Sequence, residues 1–394
     1  MTHTMRFATN LAKGILGKPD PEGVWHSIIS YIPDEILAKP NVKILNVAFG
    51  HLTEARILVQ RMRALGKTAD EIKDSIYLID KYRVFCADAK EYGYKHIIHA
   101  DFLSHKFNMK FDIIIGNPPY NKGINLLSNA ENAAGYPHLA FMNAAQKLIK
   151  EDGLISFIMP VSFMTLPSCH DWRNDILSKG TFKYITLIDN RKNEAFDIKF
   201  PWVCNVIFQP GKSESNITYD IISNKPSDTI SLNLNDYTYL DNDVKKTTWP
   251  LFTTYYIKTI FDKVRAQSKK LDRPMPRELK TGLSKPYISY MVQGYDTRPV
   301  VNDIPKAKAT GENIRGEAYL YFDTDADAYK YCDFMNSKLF SMLLECTTGT
   351  GKTQPMSIQQ IGNFDFSNVN TNDDQELYKF FNLDADEIAY IESY

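Results

Sequence analysis

Apolar residues in the first half of the chain come in short continuous runs, at 42–49, 75–80, 96–102, 111–116, 153–160, 184–189 and 203–209. Each run has the length and content of a strand buried on both faces. Between them lie stretches with helical spacing, at 53–65, near 82–92 and at 137–150, the last carried by Leu139, Met142, Leu148 and Ile149. This alternation predicts an α/β fold, with seven mostly parallel strands and helices on both faces. In such sheets ligands bind beyond the carboxyl ends of the strands.

After Pro210 the pattern breaks. Residues 211–215 read as a linker, and 216–247 are polar and rich in Asn, Asp, Ser and Tyr. Two domains are therefore expected, at 1–210 and 211–394, the second a smaller, irregular α+β unit. The overall charge of −1 hides an asymmetry. Residues 1–244 are neutral, 245–315 carry 15 basic and 6 acidic residues, and 316–394 carry 4 basic and 14 acidic ones. A basic block of this kind suits a polyanion-binding surface, or a solvated face that the acidic tail neutralises.

Composition removes several classes. At 44% hydrophobic residues the chain can bury a sizeable core. No apolar run is long enough to cross a bilayer, and the first twenty residues lack a signal-peptide core, so a soluble, cytoplasmic protein without membrane association is expected. Five scattered cysteines without a C-x-x-C pair argue against a disulfide framework and a zinc site, and the histidines show no ligand spacing.

The most specific chemistry sits where the run Phe111–Gly116 ends, in Asn117-Pro118-Pro119-Tyr120. Gly116 is expected to let the backbone turn out of its strand. These residue types suit methylation of an exocyclic amino group on a base, whose lone pair is delocalised into the ring. An Asn oxygen and a proline carbonyl can each accept one amino hydrogen, which holds the nitrogen near tetrahedral geometry and aims its lone pair at a methyl donor. Consecutive prolines stiffen the loop. Tyr120 has a flat face on which an extruded base can stack. Upstream, Phe49-Gly50 ends the first strand in a glycine turn that a cofactor can approach closely, Asp80 ends the second and can accept from ribose hydroxyls, and Asp101-Phe102 ends the third, where an adenine ring can sit.

In this order the motifs resemble those of S-adenosylmethionine-dependent DNA adenine-N6 methyltransferases of the amino-methyltransferase group, with the gamma-class succession of cofactor region, catalytic loop and target-recognition region. The resemblance covers about residues 20–210 and is vaguer beyond. It implies a Rossmann-like methyltransferase sheet at 1–210 and a target-recognition, DNA-binding domain at 211–394. It also implies S-adenosylmethionine as cofactor, and action as a monomer on double-stranded DNA by base flipping, without a metal. By this resemblance Asn117, Pro118, Pro119 and Tyr120 form the catalytic loop. Asn46, Phe49, Gly50, Asp80, Asp101 and Phe102 hold the cofactor. Segments 138–141 and 153–163 flank the target-base pocket. Phe200 supplies a second stacking face, with Phe196 and Trp202 as rivals. Lys269, Lys270, Arg273, Arg277 and Arg298 are the expected DNA-binding residues of the basic block.

Two positions depart from the family pattern. Asn46 stands where an acid is usual and Leu52 where a second glycine is usual, with His51, Thr53 or Glu54 placed to compensate. Methylation of RNA adenine or of a protein glutamine uses a similar site, and a DNA-binding protein with a degenerate cofactor site is a further alternative. Residues 348–353 resemble part of a phosphate-binding loop, but Cys346 stands where the full pattern needs a small residue, so a flexible glycine-rich loop is the better reading.

Overall fold

The computed structural model describes residues 22–120, 135–189, 202–211, 216–222, 230–233, 249–252, 254–268, 286–291, 300–301, 317–348 and 360–394. The chain divides into two compact units, Met1–Thr238 and Tyr239–Tyr394.

In the first unit the strands are β1 (Ile44–Val47), β2 (Ile76–Asp80), β3 (His96–His99), β4 (Phe111–Gly116), β5 (Ile149–Pro160), β6 (Gly180–Asp189), β7 (Trp202–Pro210), β8 (Asn216–Ile222) and β9 (Ile230–Asn233), in the sheet order β3-β2-β1-β4-β5-β7-β6-β8-β9. β1 to β5 are parallel neighbours, while β7 runs antiparallel between β5 and β6. This is the expected Rossmann-like sheet of seven mostly parallel strands. Two further strands extend it. β8 pairs parallel with β6 and β9 antiparallel with β8. The first unit thus continues past 210, because the polar stretch after the linker supplies sheet rather than opening a new domain.

Every residue of β1 and β4 is buried, which accounts for their continuous apolar sequence. The helices of this unit include α1 (Glu22–Ser30), α2 (Thr53–Ala64), α3 (Ala69–Ser75), α4 (Arg83–Glu91), α5 (Pro137–Leu148) and α6 (His170–Lys179). α2 packs Ala55, Leu58 and Met62 into a core shared with Ile44, Ile113 and Ile115 of the sheet and Ile28 and Ile29 of α1. α3 starts at a capping box in which the Thr68 hydroxyl accepts from the Glu71 N–H and the Glu71 carboxylate accepts from the Thr68 N–H.

Gly116 is required for a different reason from the expected one. Its backbone is ordinary strand, but a Cβ there would lie 2.3 Å from the Val47 carbonyl oxygen and 2.8 Å from Val47 Cγ2. The glycine lets β4 close against β1, and so sets how near the loop after β4 comes to the loop after β1. Strand order reverses between these two neighbours, with β2 and β3 continuing from β1 to one side and β5 following β4 to the other. That reversal opens the crevice in which doubly wound sheets hold ligands.

The described part of the second unit has a three-stranded antiparallel sheet, β10 (Tyr287–Met291) between β11 (Val300–Val301) and β12 (Glu317–Tyr321), with helices α7 (Tyr255–Gln267), α8 (Asp325–Met335), α9 (Lys338–Thr348), α10 (Asp374–Phe380) and α11 (Ala385–Glu392). Phe334 packs against Phe340, Phe364, Phe366 and Phe381, at ring-centroid distances of 5.2 to 5.8 Å. Aromatic pairs at these distances contribute about 0.5–1.5 kcal/mol each beyond burial. Lys263 on α7 forms ion pairs with Asp384 and Glu387, at 3.1 and 2.6 Å.

Candidate active site

The site grows from the ends of β1, β2 and β4. The loop after β1 is tightly wound. Ala48, Gly50 and Leu52 have φ of 50°, 48° and 65°, all left-handed. For a non-glycine residue this conformation costs roughly 1–2 kcal/mol. Leu52 offsets the cost by burial, being 1% exposed, and a buried leucine contributes about 1.5–3 kcal/mol. This explains how a leucine occupies a position where glycine is usual. Phe49 is also buried in the core and supports the loop from below rather than lining the crevice.

Asp80 at the end of β2 fixes the loop. Its Oδ2 accepts from the Gly50 N–H at 3.2 Å and its Oδ1 from the Tyr82 N–H at 2.9 Å. Burial raises its pKa against the opposing effect of those two N–H bonds. A carboxylate has about four acceptor positions, so these bonds leave capacity for a ligand's hydroxyls. Beyond β3, Asp101 accepts from the Leu103 N–H at 2.9 Å, and the Phe102 ring lies 5.2 Å from that of Phe141 on α5. Asp80, Tyr82, Asp101, Phe102, Pro119 and Phe141 line one cleft, with Ala48. A carboxylate with spare acceptor capacity, an apolar slot bounded by an aromatic ring and a closely wound backbone fit the adenosine half of S-adenosylmethionine.

Pro119 joins this cleft to the loop after β4. Asn117 and Tyr120 are 6% and 8% exposed. The Tyr120 hydroxyl donates to Asn117 Oδ1 and lies 3.4 Å from the Ile158 carbonyl oxygen. Tyr120 is therefore buried in the same core as Leu52, Ile115 and Ile158. Burial, then Cys204 and Glu54, hold its phenol pKa well above the usual value.

Three buried polar residues near this loop stand out. Asn46 on β1 is fully buried, and neither side-chain polar atom has a hydrogen-bond partner. His138 on α5 is 1% exposed, both ring nitrogens lack partners, and its ring meets Tyr120 edge-on at 6.1 Å. Burial lowers its pKa to about 3, so it is neutral. Glu54, in the first turn of α2, is 4% exposed. An unsatisfied buried polar group costs about 1–3 kcal/mol, which makes Asn46 and His138 informative. The signal for His138 in the sequence is a polar residue on the apolar face of its helix.

The remaining expected residues divide as follows. Trp202 opens β7, buried and paired with Asp189. Phe196 and Phe200 lie outside the described residues, as do Lys269, Lys270, Arg273, Arg277 and Arg298 and the glycine-rich stretch after Thr348. No described helix is long and apolar enough to cross a membrane.

Comparison with known proteins points the same way. Residues 48–196 match the family model of the Eco57I restriction-modification methylase. A tRNA1(Val) (adenine(37)-N6)-methyltransferase of Histophilus somni (strain 129Pt) is 46% identical over 103 residues, which are 25% of this chain and 39% of that protein. A second enzyme of that description, from Actinobacillus succinogenes, is 39% identical over 66 residues, 16% of this chain and 28% of the relative. The chain thus spans well under half the length of these curated relatives. Among solved structures, a modification subunit assigned to a type I restriction enzyme of Vibrio vulnificus YJ016 is 11% identical with a TM-score of 0.46, covering 62% of each chain. The type I restriction enzyme EcoKI M protein is 15% identical with a TM-score of 0.43, covering 53% of this chain and 49% of its own.

Proposed function

From the match of residues 48–196 to a restriction-modification methylase, we propose that the chain transfers a methyl group from S-adenosylmethionine to the N6 amino group of adenine in a specific duplex DNA sequence, after flipping the base out of the stack. The observation that carries this reading is the continuity of the Asp80–Phe102 cleft with the Asn117–Tyr120 loop through Pro119. The cleft residues would hold the donor's adenosine, and Pro119 ties them to the loop that carries Asn117.

S-adenosylmethionine, when bound, supplies a methyl group on a cationic sulfonium, a strong electrophile. Asp80 would accept the ribose hydroxyls, Phe102 would pack on the adenine ring, and Asp101 would accept from its amino group. The left-handed turn at Ala48 and Gly50 keeps side chains out of the way of the cofactor. Asn117 Oδ1 and the Pro118 carbonyl accept the two amino hydrogens of the target adenine and rotate the nitrogen lone pair toward the methyl group. Catalysis is mainly orientation and hydrogen bonding. Flipping costs a few kcal/mol, offset by stacking in the pocket. Stacking by Tyr120 requires its ring to leave the core, which also breaks its bond to Asn117 and releases Oδ1 for the base. Phe200 supplies the second face. The second unit, with the basic block, reads the DNA.

A second reading, methylation of adenine in RNA, is favoured by the tRNA-modifying relatives. Labelled-methyl transfer to matched duplex DNA, structured RNA and protein separates the two. The DNA reading requires incorporation into duplex DNA in a sequence-dependent way. Incorporation into RNA alone replaces it with the second reading.

A further inference from the structure

His138 is a buried polar side chain that the proposed reaction leaves unused. It stands in the first turn of α5, and neither ring nitrogen has a hydrogen-bond partner among the described residues. Burying both nitrogens unpaired is unfavourable, and a ligand that pairs with one of them recovers part of that cost. Burial keeps the imidazole neutral, so one nitrogen is an N–H donor and the other an acceptor.

Two neighbours fix where the ring lies. Phe141 is three residues further along α5, on the same side of the helix, and lines the cleft together with Pro119. His138 meets the next residue of that loop, Tyr120, edge-on at 6.1 Å. The Tyr120 hydroxyl donates to Asn117 Oδ1. In the proposed reaction an amino hydrogen of the target adenine donates to the same oxygen. The amino group then stands where the hydroxyl stands, and the adenine ring fills the room beside His138 that the Tyr120 ring gives up. Two ring nitrogens of adenine, N1 and N7, flank the amino group, and both only accept. Pro118 and Pro119 have no N–H to offer them. His138 has a donor without a partner.

We propose that His138 is a specificity-determining residue, which donates its N–H to the ring nitrogen beside the target amino group, N1 or N7. It admits a base that presents an acceptor there and disfavours one that presents an N–H or a C–H. This rests on the proposed adenine reading and adds a contact to it.

The test uses oligonucleotides whose target adenine is replaced by 1-deazaadenine or 7-deazaadenine. Each analogue has a C–H in place of one ring nitrogen and keeps the amino group. The target is set opposite an abasic site, so that differences in pairing do not enter. Labelled-methyl transfer by the full chain gives kcat/KM. Wild type is expected to lose at least about fivefold on one analogue relative to the other, because a buried N–H then faces a C–H. The affected analogue names the nitrogen. His138→Phe keeps a ring without a donor. It is expected to be slower on adenine and to shrink the gap between adenine and the affected analogue by the same factor. His138→Gln returns a donor and is expected to recover part of the preference; it also serves should the phenylalanine variant fail to fold. A packing role alone would slow every substrate equally and leave the ratios unchanged, which overturns the proposal. A wild type that treats the two analogues alike overturns it as well, while its transfer to adenine leaves the proposed function standing. Absence of transfer to any adenine-bearing oligonucleotide overturns the proposed function itself.

Discussion

Tyr120 donates its hydroxyl hydrogen to Asn117 Oδ1, the oxygen that amino-group methylation needs as an acceptor. One bond thus orients the carboxamide and occupies it. Tyr120→Phe removes the bond but keeps the ring. It is expected to retain turnover within about tenfold, because one neutral hydrogen bond contributes only about 0.5–1.5 kcal/mol. Tyr120→Ala also removes the stacking face, worth roughly 1–3 kcal/mol per base, and leaves a core cavity. Steady-state kinetics on one duplex compares them. Equal losses in both would show that the hydroxyl, not the ring, is what matters.

Asp80 ties Gly50 to β2 and, in the proposed function, also receives the ribose. Asp80→Ala is expected to weaken the donor by roughly 1.5–3 kcal/mol, the range for hydrogen bonds to a charged group. Calorimetry with S-adenosylhomocysteine measures it. Unchanged affinity in a folded variant would move the cofactor elsewhere.

His138 sets a pH dependence. Burial lowers its pKa from 6.5 to about 3, so the unfolded chain binds a proton that the folded chain refuses between those values. Stability from this group is complete above about pH 6.5 and falls as pH drops toward 3, by about 1.4 kcal/mol per unit. His138→Leu is expected to show a shallower acid loss than wild type in urea unfolding across pH 6 to 4. Parallel curves would mean that His138 gains a proton partner in the folded state.

Lys263 belongs to the basic block by sequence but is engaged by Asp384 and the buried Glu387. Lys263→Met is expected to lower stability and leave the salt dependence of DNA binding unchanged. Replacing Lys269 and Lys270 is expected to flatten the log–log salt slope, by about 0.9 for each phosphate left without its lysine. Filter binding at several salt concentrations distinguishes them. A flattened slope in Lys263→Met would make the acidic tail a competitor for DNA.

The sheet is legible in the sequence because each strand is a short apolar run, and the end of β4 because Gly116 and two consecutive prolines follow its isoleucines. β8 and β9 are not, because they fall in the polar stretch after the linker, and their strand character comes from the pairing of β8 with β6 and of β9 with β8. Gly116 stands out in the sequence, but its cause, the 2.3 Å approach to Val47, exists only once β1 and β4 are neighbours. Leu52 reads in sequence as a defect in the glycine loop, and only its left-handed φ and its burial together account for it. The inward turn of Tyr120 is a tertiary fact, since sequence shows a ring but not where it points.

In the proposed reaction Asn117 bears the chemistry most directly, since its oxygen is an acceptor chiefly when the target nitrogen becomes tetrahedral. Duplex DNA treated with the wild-type chain and S-adenosylmethionine, then digested to nucleosides, is expected to contain N6-methyladenine. Asn117→Ala is expected to lower the rate of its formation at least about a hundredfold, in line with loss of one transition-state hydrogen bond, with donor and DNA affinity little changed. Wild-type digests without N6-methyladenine, or undiminished formation by Asn117→Ala, would contradict the assignment.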